Sequence, residues 1–196
     1  EEFERKFSQF CNVNFCATVN SGTSALHLGL LALGVGKGDE VIVPAFSFAA
    51  TANAVLLTGA DVVFADIDPT TFNIDPLAIE SLITTRTKVI IPVHLYGMPA
   101  KMVEILSIAN EYGVPVIEDA AEALGSSIEN KPCGSFGEFG VLSFNGNKII
   151  TTSGGGALLS ENAEMIEKAR FLATQARDAA PHYQHSHIGY NYRMSN

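Results

Sequence analysis

Short aliphatic runs without polar alternation constrain this chain most. Val41-Ile42-Val43, Val89-Ile90-Ile91 and Val114-Pro115-Val116-Ile117 are apolar at every position. A strand burying one face would alternate, because successive side chains point to opposite sides. Continuous runs are expected where helices cover both faces of a parallel sheet. The same reading marks strands at 16–19, 40–43, 61–65, 89–93, 114–117, 141–144 and 157–159. Helical periodicity fills the intervals at 24–33, 51–57, 76–83, 100–112 and 162–176. Gly34 closes the first of these, and Pro76 opens another behind an Asp75 N-cap. Residues 1–7 carry the pattern of the middle of an amphipathic helix, and 179–187 read as a loop. This order predicts a three-layer α/β/α sandwich on a mostly parallel sheet. The last two strands follow too closely for a helical crossover, so the sheet is expected to be mixed.

A chain of 196 residues, 47% of them hydrophobic, buries roughly 70% of the surface its unfolded form exposes. Its formal charge of −9, from 21 acidic and 12 basic residues, argues against nucleic acid as a partner, which calls for a basic patch. No basic amphipathic stretch or long apolar span marks it for a membrane, and no secretory signal is evident, so the expectation is cytoplasmic. Cys11, Cys16 and Cys133 show no zinc spacing and read as buried, idle thiols. No metal site is expected. Both termini read as cut, since Arg193-Met194-Ser195-Asn196 stops without a terminator.

In open α/β sheets ligands sit outside the carboxyl ends of the strands, so chemistry is sought just after each run. After the first comes Asn20-Ser21-Gly22-Thr23-Ser24, a glycine and hydroxyls at a helix start. That is a phosphate cradle or simply an N-cap. After the second comes Phe46-Ser47-Phe48, core residues or a stacking face. His94-Leu95-Tyr96-Gly97 follows the fourth, and Glu118-Asp119-Ala120-Ala121-Glu122 the fifth. Glu118 reads equally as a solvated loop acid or a partnered one. Asp119, followed by two small residues, is expected to have a partner, since a lone buried carboxylate is costly; a protonated ring nitrogen would serve. Ser143 ends the sixth strand, and Lys148 stands five residues later, before Ile149-Ile150 and the small residues of 151–156. A lysine desolvated there becomes a nucleophile able to form a Schiff base. Phosphate cradle, aromatic face, acid for a ring nitrogen and reactive lysine are the four requirements of pyridoxal phosphate.

The blocks "NSGTSALHLGLLALGVGKGDEVIVPAFSFAATANAV", "PVHLYGMPA", "VIEDAAEALGS", "SFNGNKIITTSGGG" and "HIGYNYRMSN" identify the chain as similar to the DegT-type sugar-nucleotide aminotransferases. These are pyridoxal phosphate enzymes of the aspartate-aminotransferase (fold type I) architecture, and the likeness runs from about Val19 to the end. "EDAAEALGS" with "NGNKIITTSGGG" most resembles enzymes that aminate a UDP-linked 4-keto-6-deoxy-N-acetylhexosamine on the way to bacillosamine. The resemblance implies that Lys148 forms the internal aldimine and shuttles the proton, and that Asp119 partners the pyridine nitrogen. It puts Phe48 on the ring and Gly22, Thr23, Ser24 and Ser143 around the phosphate. Glu122 occupies a position, often glutamine in relatives, beside the cofactor's ring oxygen. Asn191 matches a residue reaching the phosphate of the other subunit, which implies a homodimer with shared active sites.

The implied chemistry is ping-pong transfer from an amino acid, glutamate by family analogy, to a nucleotide-linked keto-deoxy-sugar. Residues 1–196 then correspond to the large cofactor-binding domain, truncated at both ends and without the small C-terminal domain. A catalytically incompetent cofactor-binding or dimerisation fragment is the alternative this raises. Some relatives are sugar dehydratases with histidine where Lys148 stands, so lysine argues for transamination. A receiver-like domain with Asp119 as phospho-acceptor explains the acid but not Lys148, the glycine tract or Asn191.

Overall fold

Alternation along the buried strands divides the core between two faces. In the computed structural model, which describes residues 2–194, Val41 and Val43 join one apolar cluster while Ile42 between them joins another. Val89 and Ile91 likewise part from Ile90, and Ile117 from Val116. The first cluster packs the sheet against helices α2 (Gly22–Ala32), α3 (Ala49–Thr58) and α6 (Ala163–Ala173). The opposite face packs against α4 (Pro76–Leu82) and α5 (Met102–Tyr112). Beside them Phe7 of α1 (Glu2–Phe10) packs with Phe144 and Leu159. This is the expected three-layer sandwich.

The strands are β1 (Phe15–Val19), β2 (Glu40–Pro44), β3 (Asp61–Ala65), β4 (Thr87–Ile90), β5 (Ile117–Asp119), β6 (Ser127–Ile128), β7 (Lys131–Pro132), β8 (Phe139–Ser143) and β9 (Gly156–Ser160). One sheet runs β3-β2-β4 and another β1-β9-β8-β5. Single parallel bridges, Ile90 to Val116 and Val93 to Asp119, stitch β4 to β5 between them. β2 pairs parallel with β3 and β4, and β5 with β8, whereas β9 runs antiparallel to both β8 and β1. The sheet is therefore mixed and mostly parallel. A consequence is that β9 enters the cleft edge with its amino end, bringing Gly155 and Gly156 to where the other strands finish.

Several boundaries move. The expected strand at 114–117 begins at Ile117 and runs on through Glu118 and Asp119. That at 89–93 ends as a strand at Ile90; one more bond to β2 follows, from Ile91 N–H to Ile42 O at 2.8 Å, and Pro92 has no N–H to extend it. Helix α6 stops at Ala173, short of the expected 176. Asp75 caps α4 by accepting from Leu77 N–H at 3.1 Å. The hairpin of β6 and β7 was not expected; it turns on Glu129 and Asn130, both with positive φ. Cys11, Cys16 and Cys133 are free and buried, and burial pushes the Cys11 and Cys16 thiols up to about 11 and about 12, where they are inert. Glu1, Ser195 and Asn196 lie outside the described residues.

Candidate active site

The carboxyl ends of β1, β2, β5 and β8 and the amino end of β9 surround one cleft. Gly22, Thr23, Phe48, Asp119, Glu122, Ser143 and Lys148 all line it. Ser24 and Asn191 do not. The Ser24 hydroxyl donates to Asn20 Oδ1 at 2.6 Å and lies 2.9 Å from Ser21 Oγ, while its N–H donates to Ser21 Oγ at 3.0 Å. Ser21 is thus the N-cap of α2, and Asn20, Ser21, Gly22 and Thr23 present themselves to the cleft. First-turn N–H groups have no intrahelical acceptor, and with the helix dipole they favour an anion. A Cβ at Gly22 would sit 3.0 Å from Ser143 Cβ, a tight contact, so its absence lets the Ser143 hydroxyl close the same corner. Gly156 is tighter still, since a Cβ would come within 2.5 Å of the Ser21 backbone.

Phe48 leads into α3 and leaves its ring 75% exposed beside the cleft. Lys148 follows β8 through a turn in which its N–H donates to Asn145 O at 3.0 Å. Its side chain is only 12% exposed, with Nζ 3.1 Å from Glu122 Oε1 and 5.9 Å from the Phe48 ring centre. The other Glu122 oxygen accepts the Tyr96 N–H at 2.9 Å.

Asp119 is 5% exposed. Its Oδ2 accepts from the Thr51 hydroxyl at 2.7 Å and its Oδ1 from Ala121 N–H at 3.2 Å. Burial pushes its carboxyl above the ordinary 3.8, against the lowering effect of those two bonds and of the Lys148 charge. Glu118, one residue earlier, resolves as partnered and not as a solvated loop acid. It is fully buried and accepts from His94 Nε2, Gly134 N–H, Phe136 N–H and Gly137 N–H. The turn at 134–137 folds back onto it, which nothing near Glu118 in the sequence signals.

Other expected residues stand aside. His94 is buried behind the cleft, and Phe46 packs near Phe72 at 6.0 Å between ring centres. Asn191 is exposed and bridges to Thr174, and its carbonyl accepts from Asn20 Nδ2 at 3.3 Å. Sequence reasoning missed Thr51 as the partner of Asp119; a lone hydroxyl among alanines in a first helical turn was its signal. It assigned no role to Asn20, Asn145 and Asn147, which line the cleft. Among the described residues no helix is long and apolar enough to cross a membrane, and no group of three metal-ligating side chains is placed to hold an ion.

Known proteins share this chain's sequence and fold. EpsN of Bacillus subtilis (strain 168) is 53% identical over 99% of this chain and 52% of its own length. The GDP-perosamine synthase of Caulobacter vibrioides is 47% identical over 100% of this chain and 53% of its own. The UDP-2-acetamido-2-deoxy-3-oxo-D-glucuronate aminotransferase of Pseudomonas aeruginosa is 42% identical over 98% and 54%. The chain thus spans about half the length of the curated relatives it matches. Among solved structures, S. venezuelae DesV in complex with a ketimine intermediate superposes with a TM-score of 0.93 at 36% identity, over 98% of this chain and 52% of that one. NtdA from Bacillus subtilis with bound cofactor PMP gives 0.91 at 39% identity, over 98% and 44%. The model of the DegT/DnrJ/EryC1/StrS aminotransferase family matches residues 1–196, and the chain belongs to that family.

Proposed function

We propose that residues 1–196 form the cofactor-binding large domain of a pyridoxal phosphate-dependent sugar-nucleotide aminotransferase. Such an enzyme moves an amino group from an amino acid, glutamate by family analogy, to a nucleotide-linked keto-deoxy-sugar. The observation that carries this reading is a shielded lysine, Lys148, sharing one cleft with a buried carboxylate, Asp119, that has no cation within hydrogen-bond distance among the described residues. The names of the relatives above, a GDP-sugar synthase and a UDP-sugar aminotransferase, support the substrate class.

The residues present fit the cofactor. The N–H groups of Gly22 and Thr23, with the Thr23 and Ser143 hydroxyls, suit a phosphate at the start of α2. Ser24 contributes by fixing Asn20 and Ser21. Phe48 offers an apolar ring whose exposure a flat group would relieve. Asp119 has acceptor capacity left for a ring N–H, and a cation there would offset its burial. When bound, pyridoxal phosphate supplies an electron-withdrawing ring that stabilises charge on the substrate carbon. Lys148 Nζ then holds the amine position and carries the proton at that carbon. Asn191, exposed and outside its own cleft, is assigned to the phosphate of a second subunit in a homodimer. Three unpaired thiols accord with a reducing compartment, and the reading places the protein in the cytoplasm.

Because the chain spans about half of its relatives, a second reading in which these residues hold cofactor without turnover is tested alongside. The protein is mixed with pyridoxal phosphate, its visible spectrum recorded, and the mixture reduced with borohydride and mapped by peptide mass. The expected result is a visible band that borohydride removes and a phosphopyridoxyl mass on Lys148, both absent in Lys148→Ala. Label scattered over surface lysines overturns the cofactor assignment. Label on Lys148 without amination of keto-sugar supports the second reading.

A further inference from the structure

The cleft holds two carboxylates, and only one of them meets the lysine. Of its lining residues the titratable ones are Asp119, Glu122 and Lys148. Asp119 is engaged by Thr51 and Ala121, whereas Glu122 Oε1 stands 3.1 Å from Lys148 Nζ. The rest of the Glu122 carboxylate is anchored. Its Oε2 accepts from the N–H of Tyr96, a non-glycine residue held in the left-handed region at φ 51, ψ 28. Backbone strain of this kind persists only where surroundings enforce it. Here Gly97 N–H donates to His94 O at 3.2 Å, and the Ser126 hydroxyl donates to Gly97 O at 2.7 Å. One oxygen is therefore tied to a rigid turn while the other faces an exchangeable ammonium. The Phe48 ring centre lies 5.9 Å from that ammonium.

We propose that Glu122 is the resident counter-ion of Lys148, a positioning residue that receives Nζ whenever that amine is not bonded to cofactor. The proposal rests on the reading of Lys148 as the cofactor's amine, and it goes beyond any contact between Glu122 and a cofactor oxygen. An ammonium must lose a proton, here to water, before it is a nucleophile. At 3.1 Å the carboxylate holds the amine by a charge-assisted hydrogen bond, so Glu122 restrains the free lysine as well as aiming it. The left-handed Tyr96 turn then has a use: it fixes the carboxylate before Lys148 arrives.

Competitive acetylation tests this without cofactor. The cofactor-free protein is treated with trace acetic anhydride at neutral pH, and labelling of Lys148 is measured against the exposed Lys88. In Glu122→Gln the Lys148-to-Lys88 ratio is expected to rise severalfold, because the amine is no longer held against a carboxylate 3.1 Å away. Glu122→Asp, which keeps the charge but withdraws it by one methylene, is expected to fall between. An unchanged ratio in folded Glu122→Gln overturns the proposal, as does a rise in Asp119→Asn that Glu122→Gln does not match. If circular dichroism shows Glu122→Gln unfolded, the Glu122→Asp ratio decides, and no rise there overturns the proposal. Since no pyridoxal phosphate is present, failure here is distinct from failure of Lys148 to take the cofactor.

Discussion

Glu118 and Asp119 are consecutive, acidic and buried, yet strand β5 sends them to opposite sides of the sheet and into opposite circumstances. A carboxylate offers about four lone-pair directions. On the Glu118 side all four are taken, by the His94 ring and by three backbone N–H groups of the 134–137 turn. On the Asp119 side two are taken, by Thr51 and Ala121, and the remainder face the cleft. The donors differ in kind as well. Those around Glu118 cannot reverse: backbone N–H groups only donate, and His94 Nδ1 already accepts Ala100 N–H at 3.0 Å, which leaves the ring proton on Nε2. The Thr51 hydroxyl can turn, since Ser47 Oγ lies 3.3 Å away. A saturated acid among fixed donors builds the fold, and a half-filled acid beside a rotatable donor keeps acceptor capacity for a further donor.

Replacing each carboxylate by its amide separates these roles, and the larger effect belongs to Glu118→Gln. Its new NH2 would face only donors, so the buried network is broken at a cost of about 3–5 kcal/mol. The check is the urea midpoint of the cofactor-free chain. Gly140→Ala attacks the same clamp from behind, because a Cβ there would fall 1.9 Å from Gly134 O. Displacing that backbone moves a Glu118 donor, and a loss of about 3 kcal/mol is expected from overpacking. If either variant unfolds at the wild-type midpoint, Glu118 is not the structural member of the pair.

What the sequence disclosed divides along the same line. Unbroken runs such as Val41–Val43 announced two-sided burial, and strand-end logic brought Asp119, Lys148, Phe48 and Ser143 to one edge. Those inferences rest on local patterns that tertiary structure rarely overrides. The Glu118 clamp depends on residues 16 to 19 positions later folding back, and no periodicity encodes a loop's return. The cluster Gly134, Gly137 and Gly140 was the available hint, since two of these sites admit no Cβ beside neighbouring backbone. Ser24 illustrates a finer limit: the motif marks a helix start, but which hydroxyl turns inward is settled by Asn20 across the cap. The order of strands, with β9 reversed between β8 and β1, is likewise a matter of assembly.

Thr51→Val sharpens the Asp119 side. Removing the hydroxyl deprives a buried carboxylate of its shorter hydrogen bond, and the chain should lose about 1.5 kcal/mol at neutral pH. Acid should shrink that loss, because the missing bond favours the charged form alone. Urea midpoints at several pH values follow both effects.

Asp119→Asn is expected to have the smallest effect and the opposite sign. The amide can accept from Ala121 N–H while donating to a turned Thr51 hydroxyl, so no donor is stranded. The wild-type carboxyl is raised above 3.8 in the fold, chiefly by burial. Its protonated form therefore favours folding below that value, and the contribution is lost as pH rises through the folded-state value. At neutral pH the wild type carries a buried charge that the variant lacks. The cofactor-free variant should then be the more stable protein at neutral pH, with an advantage that shrinks as pH falls toward 3.8. The borohydride-trapped yield with pyridoxal phosphate should drop at the same time, since an amide offers a ring N–H no charge. Stability and capture moving in opposite directions would mark Asp119 as a group the fold tolerates for its ligand. A loss of stability resembling that of Glu118→Gln would instead make the two acids equivalent and remove the distinction between the faces of β5.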